Sequence, residues 1–145
     1  AYEKAIFTPG DGAPTIIDLA GTRVGLLICY DVEFPECVRA LARAGADALL
    51  VPTALPEGDD SAFIAEYVVP VRSFENQIAV AYANYAGRDE RFIYAGRSCV
   101  VMPDGTDAAR ASATKPALIF AEYNSADYAG SRAENAYLQD LAKRE

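Results

Sequence analysis

Two nearly continuous apolar runs of strand length, RVGLLICY at residues 23–30 and DALLVPTA at residues 47–54, limit the folds open to this chain of 145 residues. Such runs belong to strands covered on both faces. Between them Pro35 suits the first turn of a helix. Val38, Leu41, Ala42 and Gly45 share one helical face, Glu36, Arg39 and Arg43 fall elsewhere, and Gly45 stops the helix. A strand, a short helical crossover and a second buried strand form a parallel unit.

The rest of the chain extends this pattern. A turn-rich opening, FTPGDGAP, leads to a short strand at residues 15–19 with Ala20 and Gly21 as its turn. A helix is expected from Ser61, a good N-cap, to about Gln77, kinked or interrupted at Pro70. IAVAYANY at residues 78–85 reads as a third core strand. Residues 91–94 and 98–103 read as a further strand pair around Gly96, Pro103 to Gly105 as a turn, and residues 118–123 as a last strand. The tail, residues 126–145, reads as one helix of alternating charge that lies on a surface or against a partner. The class is α/β in layers, with its strand order open.

Composition narrows the chemistry. The chain has no histidine, so it cannot by itself build a Ser-His-Asp or Cys-His triad or a histidine metal site. With 13 Lys and Arg against 21 Asp and Glu, the formal charge is −8 and no basic cluster interrupts it, which argues against nucleic-acid or anionic-membrane partners. No stretch nears 18 apolar residues and AYEKAIFTPG lacks a signal-peptide pattern, so a cytoplasmic location is expected. The first residue is Ala1 and the one methionine is Met102, which leaves open that the chain is part of a longer one. Cys29, Cys37 and Cys99 form no CxxC pair and read as free thiols, which disfavours a thiol redox protein.

Cys29 falls at the C-terminal end of a buried strand, before a turn that opens a helix, on the sheet edge where α/β proteins bind ligands. Backbone N–H groups there favour a thiolate and can hold an oxyanion. Cys37 and Cys99 fit small buried hydrophobes better. Without an imidazole the base for such a nucleophile must be a carboxylate with a raised pKa, aided by a lysine. Glu3, Asp31, Glu33, Glu36 and Glu75 are the candidates, and a helix-terminal charge is the plain structural role for Asp31 and Glu33.

ICYDVEFPE around Cys29, preceded by GTRVGLL and followed by GADALLVPTA, resembles the nucleophile region of the nitrilase superfamily of carbon-nitrogen hydrolases. FTPG at 7–10, RSFENQ at 72–77, YANYAG at 82–87 and AGRSCVVMPDG at 95–105 extend the likeness in order along the chain. The resemblance implies a four-layer α-β-β-α sandwich, of which residues 1–145 are the C-terminal portion of a single domain. It makes Cys29 the nucleophile, Glu3 the second active-site glutamate that positions the substrate amide, and the Tyr30 N–H part of the oxyanion hole.

Thr53 and Ala54, ending the second strand on the same edge, are candidate pocket wall. Arg72, Glu75 and Asn76 read as a helix-end ion pair with capping rather than substrate contacts. The family's base glutamate and lysine lie upstream of this segment, and Lys4 does not match the lysine because it follows Glu3. The implied reaction is hydrolysis of a small aliphatic amide through a thioester, without a cofactor, in a homodimer or larger homo-oligomer. CYD followed by FPE favours an amidase over a nitrilase or an N-carbamoyl amidohydrolase. A non-catalytic binding or dimerisation module, lacking the base and the lysine, is the alternative of another class.

Overall fold

Ala20 and Gly21, both at positive φ (52° and 86°), close a two-residue turn of the kind that matches strand twist. They join β1 (Ile16–Leu19) to β2 (Thr22–Leu26) as an antiparallel hairpin. The computed structural model describes residues 3–144, Glu3 by its backbone alone. From β2 the chain crosses through α1 (Pro35–Arg43) to β3 (Ala48–Thr53), parallel to β2. A second helical crossover returns it to β4 (Ala79–Asn84), parallel to β3. Both parallel units expected from the apolar runs are therefore present.

The second crossover is interrupted as Pro70 requires. One turn, α2 (Ser61–Phe63), runs into a widened π-type turn (Ile64–Val68), in which the Val69 N–H reaches Ile64 O, before α3 (Val69–Asn76) resumes. The wide turn accommodates a ring that lacks an N–H and would clash with the preceding turn. Ser61 is the first helical residue rather than the cap, and its hydroxyl donates to Gly58 O at 2.8 Å.

The expected strand pair around Gly96 does not form. β6 (Ile93–Ala95) pairs back on β5 (Ala86–Arg88), while β7 (Cys99–Val101) joins β4 and a further edge strand, β8 (Asp107–Arg110). Gly96 and Arg97 both adopt left-handed φ (58° and 61°), which sends the chain from one sheet to the other. A Cβ on Gly96 would sit 2.2 Å from Ala113 O, so only glycine fits this crossing. The main sheet has the order β1-β2-β3-β4-β7-β8.

One face of that sheet carries the core. Leu49, Val51, Val80, Tyr82 and Val101 pack under Val38 and Leu41 of α1 and Val69 of α3. Gly25 shares this face because a Cβ there would come 2.7 Å from Leu49 Cδ2. The opposite face is partly open: by register it carries Val24 and Ala79, both buried, together with Ile17, Leu19, Leu26 and Leu50, which are 37–49% exposed. The expectation that the apolar strands are covered on both faces thus holds in full for one face and in part for the other among the described residues.

Two further expectations are corrected. Residues 118–123 run without strand partners among the described residues, with Leu118 and Phe120 80% and 78% exposed. Alternating apolar residues make a strand only where a neighbour supplies the ladder. The tail is not one helix but a 3-10 turn (Ser125–Tyr128), α4 (Ala129–Glu134) and α5 (Tyr137–Ala142), and Glu145 lies outside the described residues. Asn124 caps the first piece by accepting from Ala126 N, and Asn135, outside helical φ/ψ, separates the last two.

Candidate active site

β2 stops at Leu26, four residues short of the expected end, and the chain turns sharply at Cys29. Ile28 is extended (φ −120°), Cys29 is left-handed (φ 49°), and residues Cys29–Glu33 form a 3-10 turn. A non-glycine residue in that region stores about 1–2 kcal/mol of strain, and such strain collects where a side chain must be presented at an edge. Asp31 holds the turn: its Oδ2 accepts from Ile28 N at 3.0 Å, and its own N–H donates to Ile28 O at 3.1 Å. This reciprocal cap is the structural role expected for Asp31.

Arg72 of α3 fixes the far end of the same turn. Its Nε donates to Val32 O at 3.1 Å, its Nη2 to Glu33 O at 2.8 Å, and its Nη1 pairs with Glu75 at 3.1 Å. Arg39 of α1 adds a bond from Nη1 to Glu75 O at 2.9 Å. Asn76 Nδ2 donates to Arg72 O at 2.8 Å. The ion pair and capping expected of Arg72, Glu75 and Asn76 are present, and Arg72 also binds the cysteine turn, which sequence reasoning missed. An arginine in an otherwise apolar helix turn was the available signal.

β2 and β3 are parallel neighbours, so Cys29, Tyr30, Thr53 and Ala54 share one sheet edge, and the 3-10 turn packs on β3. Cys29 is half-buried. Tyr30 is exposed and meets Phe34 edge to face, with ring centroids 4.9 Å apart. Thr53 is half-buried with its hydroxyl donating to Val51 O at 3.2 Å, and Ala54 is exposed. The side chain of Glu3 lies outside the described residues; its backbone opens a 3-10 turn (Glu3–Ala5). Asn84, buried at the same edge, ties it together: Oδ1 accepts from Leu55 N at 2.9 Å and Nδ2 donates to Gly96 O at 2.8 Å.

The thiols differ in what surrounds them. Cys99 is 1% exposed and burial pushes it up to about 11, which keeps it protonated. Burial, then Asp31 and Glu36, push the Cys37 thiol up as well. Among the carboxylates, burial raises Glu33 above its ordinary value. A cavity of about 170 Å³ between Ala46, Gln77 and Arg132 lies at the opposite edge of the strands, away from Cys29.

A strained cysteine at the C-terminal edge of parallel strands, on a turn braced from both ends, defines an α/β fold of the kind that presents nucleophiles. The family model for carbon-nitrogen hydrolases matches residues 1–133, and the chain belongs to that family. It is 43% identical over 138 residues to a hydrolase encoded in the pqqF 5′ region of Pseudomonas protegens, covering 95% of this chain and 47% of that protein. An (R)-stereoselective amidase of a Pseudomonas species is 38% identical over 71% of this chain and 37% of its own length.

Among solved structures, a variant of the amidase from Nesterenkonia sp. AN1 superposes with a TM-score of 0.82 at 39% identity, over 97% of this chain and 49% of that one. That structure shows the acetamide moiety of fluoroacetamide added covalently to its active-site cysteine. The chain spans about half the length of the relatives it matches. Its α/β architecture is that of nitrilase-fold amidases.

Proposed function

We propose that this chain is the C-terminal portion of a single cysteine-dependent amidase domain, with Cys29 as its nucleophile. The observation that carries the reading is the left-handed Cys29 on a turn held by Asp31 and Arg72. The relatives named as amidases and the covalent cysteine adduct of the Nesterenkonia enzyme support it.

In this reading the Cys29 thiolate attacks the amide carbon. The Tyr30 N–H, at the first turn of the 3-10 segment, helps to hold the oxyanion, and ammonia or an amine leaves as the thioester forms. Water then releases the acid and frees the thiol. The resemblance assigns the base glutamate and the lysine to the part of the domain that this chain does not contain. Glu3 positions the substrate amide, and Thr53 and Ala54 form pocket wall beside the Tyr30–Phe34 aromatic pair. Small aliphatic amides are the favoured substrates, with nitriles and carbamoyl compounds the alternatives within the family.

In the complete protein, Cys29→Ala is expected to lower kcat for amide hydrolysis by on the order of 10⁴-fold, whereas Cys37→Ala retains activity. Loss on Cys37→Ala with retention on Cys29→Ala overturns the assignment. Glu3→Gln is expected to impair turnover with an unchanged thermal melt, and a fully active variant removes Glu3 from the site.

A further inference from the structure

The two helices that cover the sheet end side by side. α1 closes at Arg43 and α3 at Asn76, and the chain enters β3 through Asp47 and β4 through Ile78, one step before the Ala48–Ala79 pair. α4 and α5 border the same edge. The cavity of about 170 Å³ lies here, walled by Ala46, Asp47, Asn76, Ile78, Arg132 and Leu138 among others. It is far roomier than one water needs, and smaller than the roughly 300–1,000 Å³ of pockets for drug-sized molecules.

Three polar groups of that wall lack the partner their chemistry calls for. Asn76 is fully buried, and its Oδ1 accepts no hydrogen bond among the described residues. Its Nδ2 donates to Arg72 O at 2.8 Å, which settles the orientation of the amide, because the reverse would set oxygen against oxygen. Leaving a buried acceptor unpaired is costly, and native proteins keep such groups mostly where they serve a site. Asp47 Oδ2 accepts from Arg23 N at 3.2 Å, but no lysine or arginine among the described residues reaches this carboxylate to form an ion pair. The Arg132 guanidinium donates to Ser125 O, to Ser125 Oγ at 2.9 Å and to Gln77 O at 3.4 Å, and meets no carboxylate.

The unmet charges are of opposite sign and sit on different elements. The last turns of α1 and α3 bring the negative ends of their dipoles to this edge, so with Asp47 and Asn76 Oδ1 they favour a cation rich in N–H donors. Arg132, on α4, favours a carboxylate. Ala46, Ile78 and Leu138 add apolar wall.

We infer that this cavity binds a small α-amino acid as its zwitterion, with a short apolar side chain. The ammonium donates to Asp47 and Asn76 Oδ1, the carboxylate accepts from Arg132, and the side chain lies against Ile78 and Leu138. A simple anion would leave Asp47 and Asn76 unmet, and a simple amine would leave Arg132 unmet. The cavity is at the opposite edge of the strands from Cys29, so the inference does not rest on the reading of Cys29 as nucleophile.

The test is calorimetric titration of the complete protein with the two enantiomers of valine, each separately, and with isovalerate and isobutylamine, which each keep one of valine's two charges. Saturable binding of at least one enantiomer is expected, weakened about tenfold or more in Asp47→Asn and in Arg132→Gln, with both single-charge probes weaker by a similar factor. No saturable binding of valine, binding that neither variant weakens, or a single-charge probe that binds as tightly as valine overturns the proposal.

If the variants fail to fold, hydrogen exchange of the parent protein decides. Valine is expected to protect peptides covering residues 76–78 and 132–139 and to leave the Cys29 turn unchanged. Protection of the Cys29 turn in place of these peptides, or no protection at all, overturns the inference. These readouts do not depend on turnover, so they stay separate from retained activity in Cys29→Ala, which would instead refute the nucleophile reading.

Discussion

A cysteine with φ of 49° is a cost that the local sequence has to hold in place. Asp31 does so from one side through its bonds to Ile28, and Arg72 from the other through Val32 O and Glu33 O. Removing Arg72 leaves two carbonyls without their charged donor and Glu75 with only its longer pair to Arg39 at 3.9 Å, so the turn is expected to relax while the core remains. Arg72→Ala in the complete protein is expected to lower kcat about tenfold or more, with KM changed much less, because misplacement of the nucleophile acts on the transition state. Equal kcat with a raised KM would instead place Arg72 in substrate binding.

At the scale of elements, the β5–β6 hairpin shows how one side chain can set a turn. Asp89 Oδ1 accepts from the backbone N–H groups of Arg91 and Phe92, both at 2.7 Å, and Oδ2 accepts from Tyr94 Oη at 2.6 Å. The Tyr94 hydroxyl, then these N–H groups, hold the Asp89 carboxyl below its ordinary value. A depressed carboxyl contributes stability above its unfolded pKa and loses it as pH falls through the folded value. Hydrogen-exchange protection of the hairpin amides is therefore expected to fall below the usual carboxylate range, and Asp89→Asn is expected to remove that pH dependence. A dependence that survives in Asp89→Asn would assign it elsewhere.

Which elements were legible follows the same physics. The apolar runs and the α1 face marked β2, β3, β4 and α1, because burial against a helix layer writes itself into residue type. The short end of β2 was hidden in RVGLLICY, since Leu27, Ile28 and Cys29 are as apolar in a turn as in a strand. The pairing of β6 was hidden in the backbone of Gly96 and Arg97, and β8, with only DAAR to mark it, carries no apolar signal. The position of Cys29 at the edge was readable from pattern. Its strain is a backbone conformation, and the Arg72 clamp joins residues 39 and 40 positions apart, neither of which a local pattern encodes.

The whole molecule presents an apolar sheet face with Leu26 and Leu50, and an unpaired segment with Leu118 and Phe120 outward. Exposed apolar surface of this kind marks a face that something covers. With the chain spanning about half of its relatives, we propose that the remainder of the same domain is what covers it. Burial of a Leu or Phe side chain stabilises by about 1.5–3 kcal/mol. In the complete protein, Leu50→Asp and Phe120→Asp are each expected to lower the thermal midpoint by several degrees, since about 1 kcal/mol shifts a domain of 150–250 residues by about 2–4 °C. An unchanged midpoint would mean that these residues face solvent there too.

In the proposed reading, the chemistry of the assembled domain turns on one atom, Cys29 Sγ. The most direct measurement is acid-quenched mass analysis of the complete protein during turnover of a small amide, with the modified peptide identified. The account predicts an acyl group on Cys29, absent in Cys29→Ala, with Cys37 and Cys99 unmodified. An adduct on Cys37, or turnover that persists in Cys29→Ala with no adduct on any thiol, would contradict it.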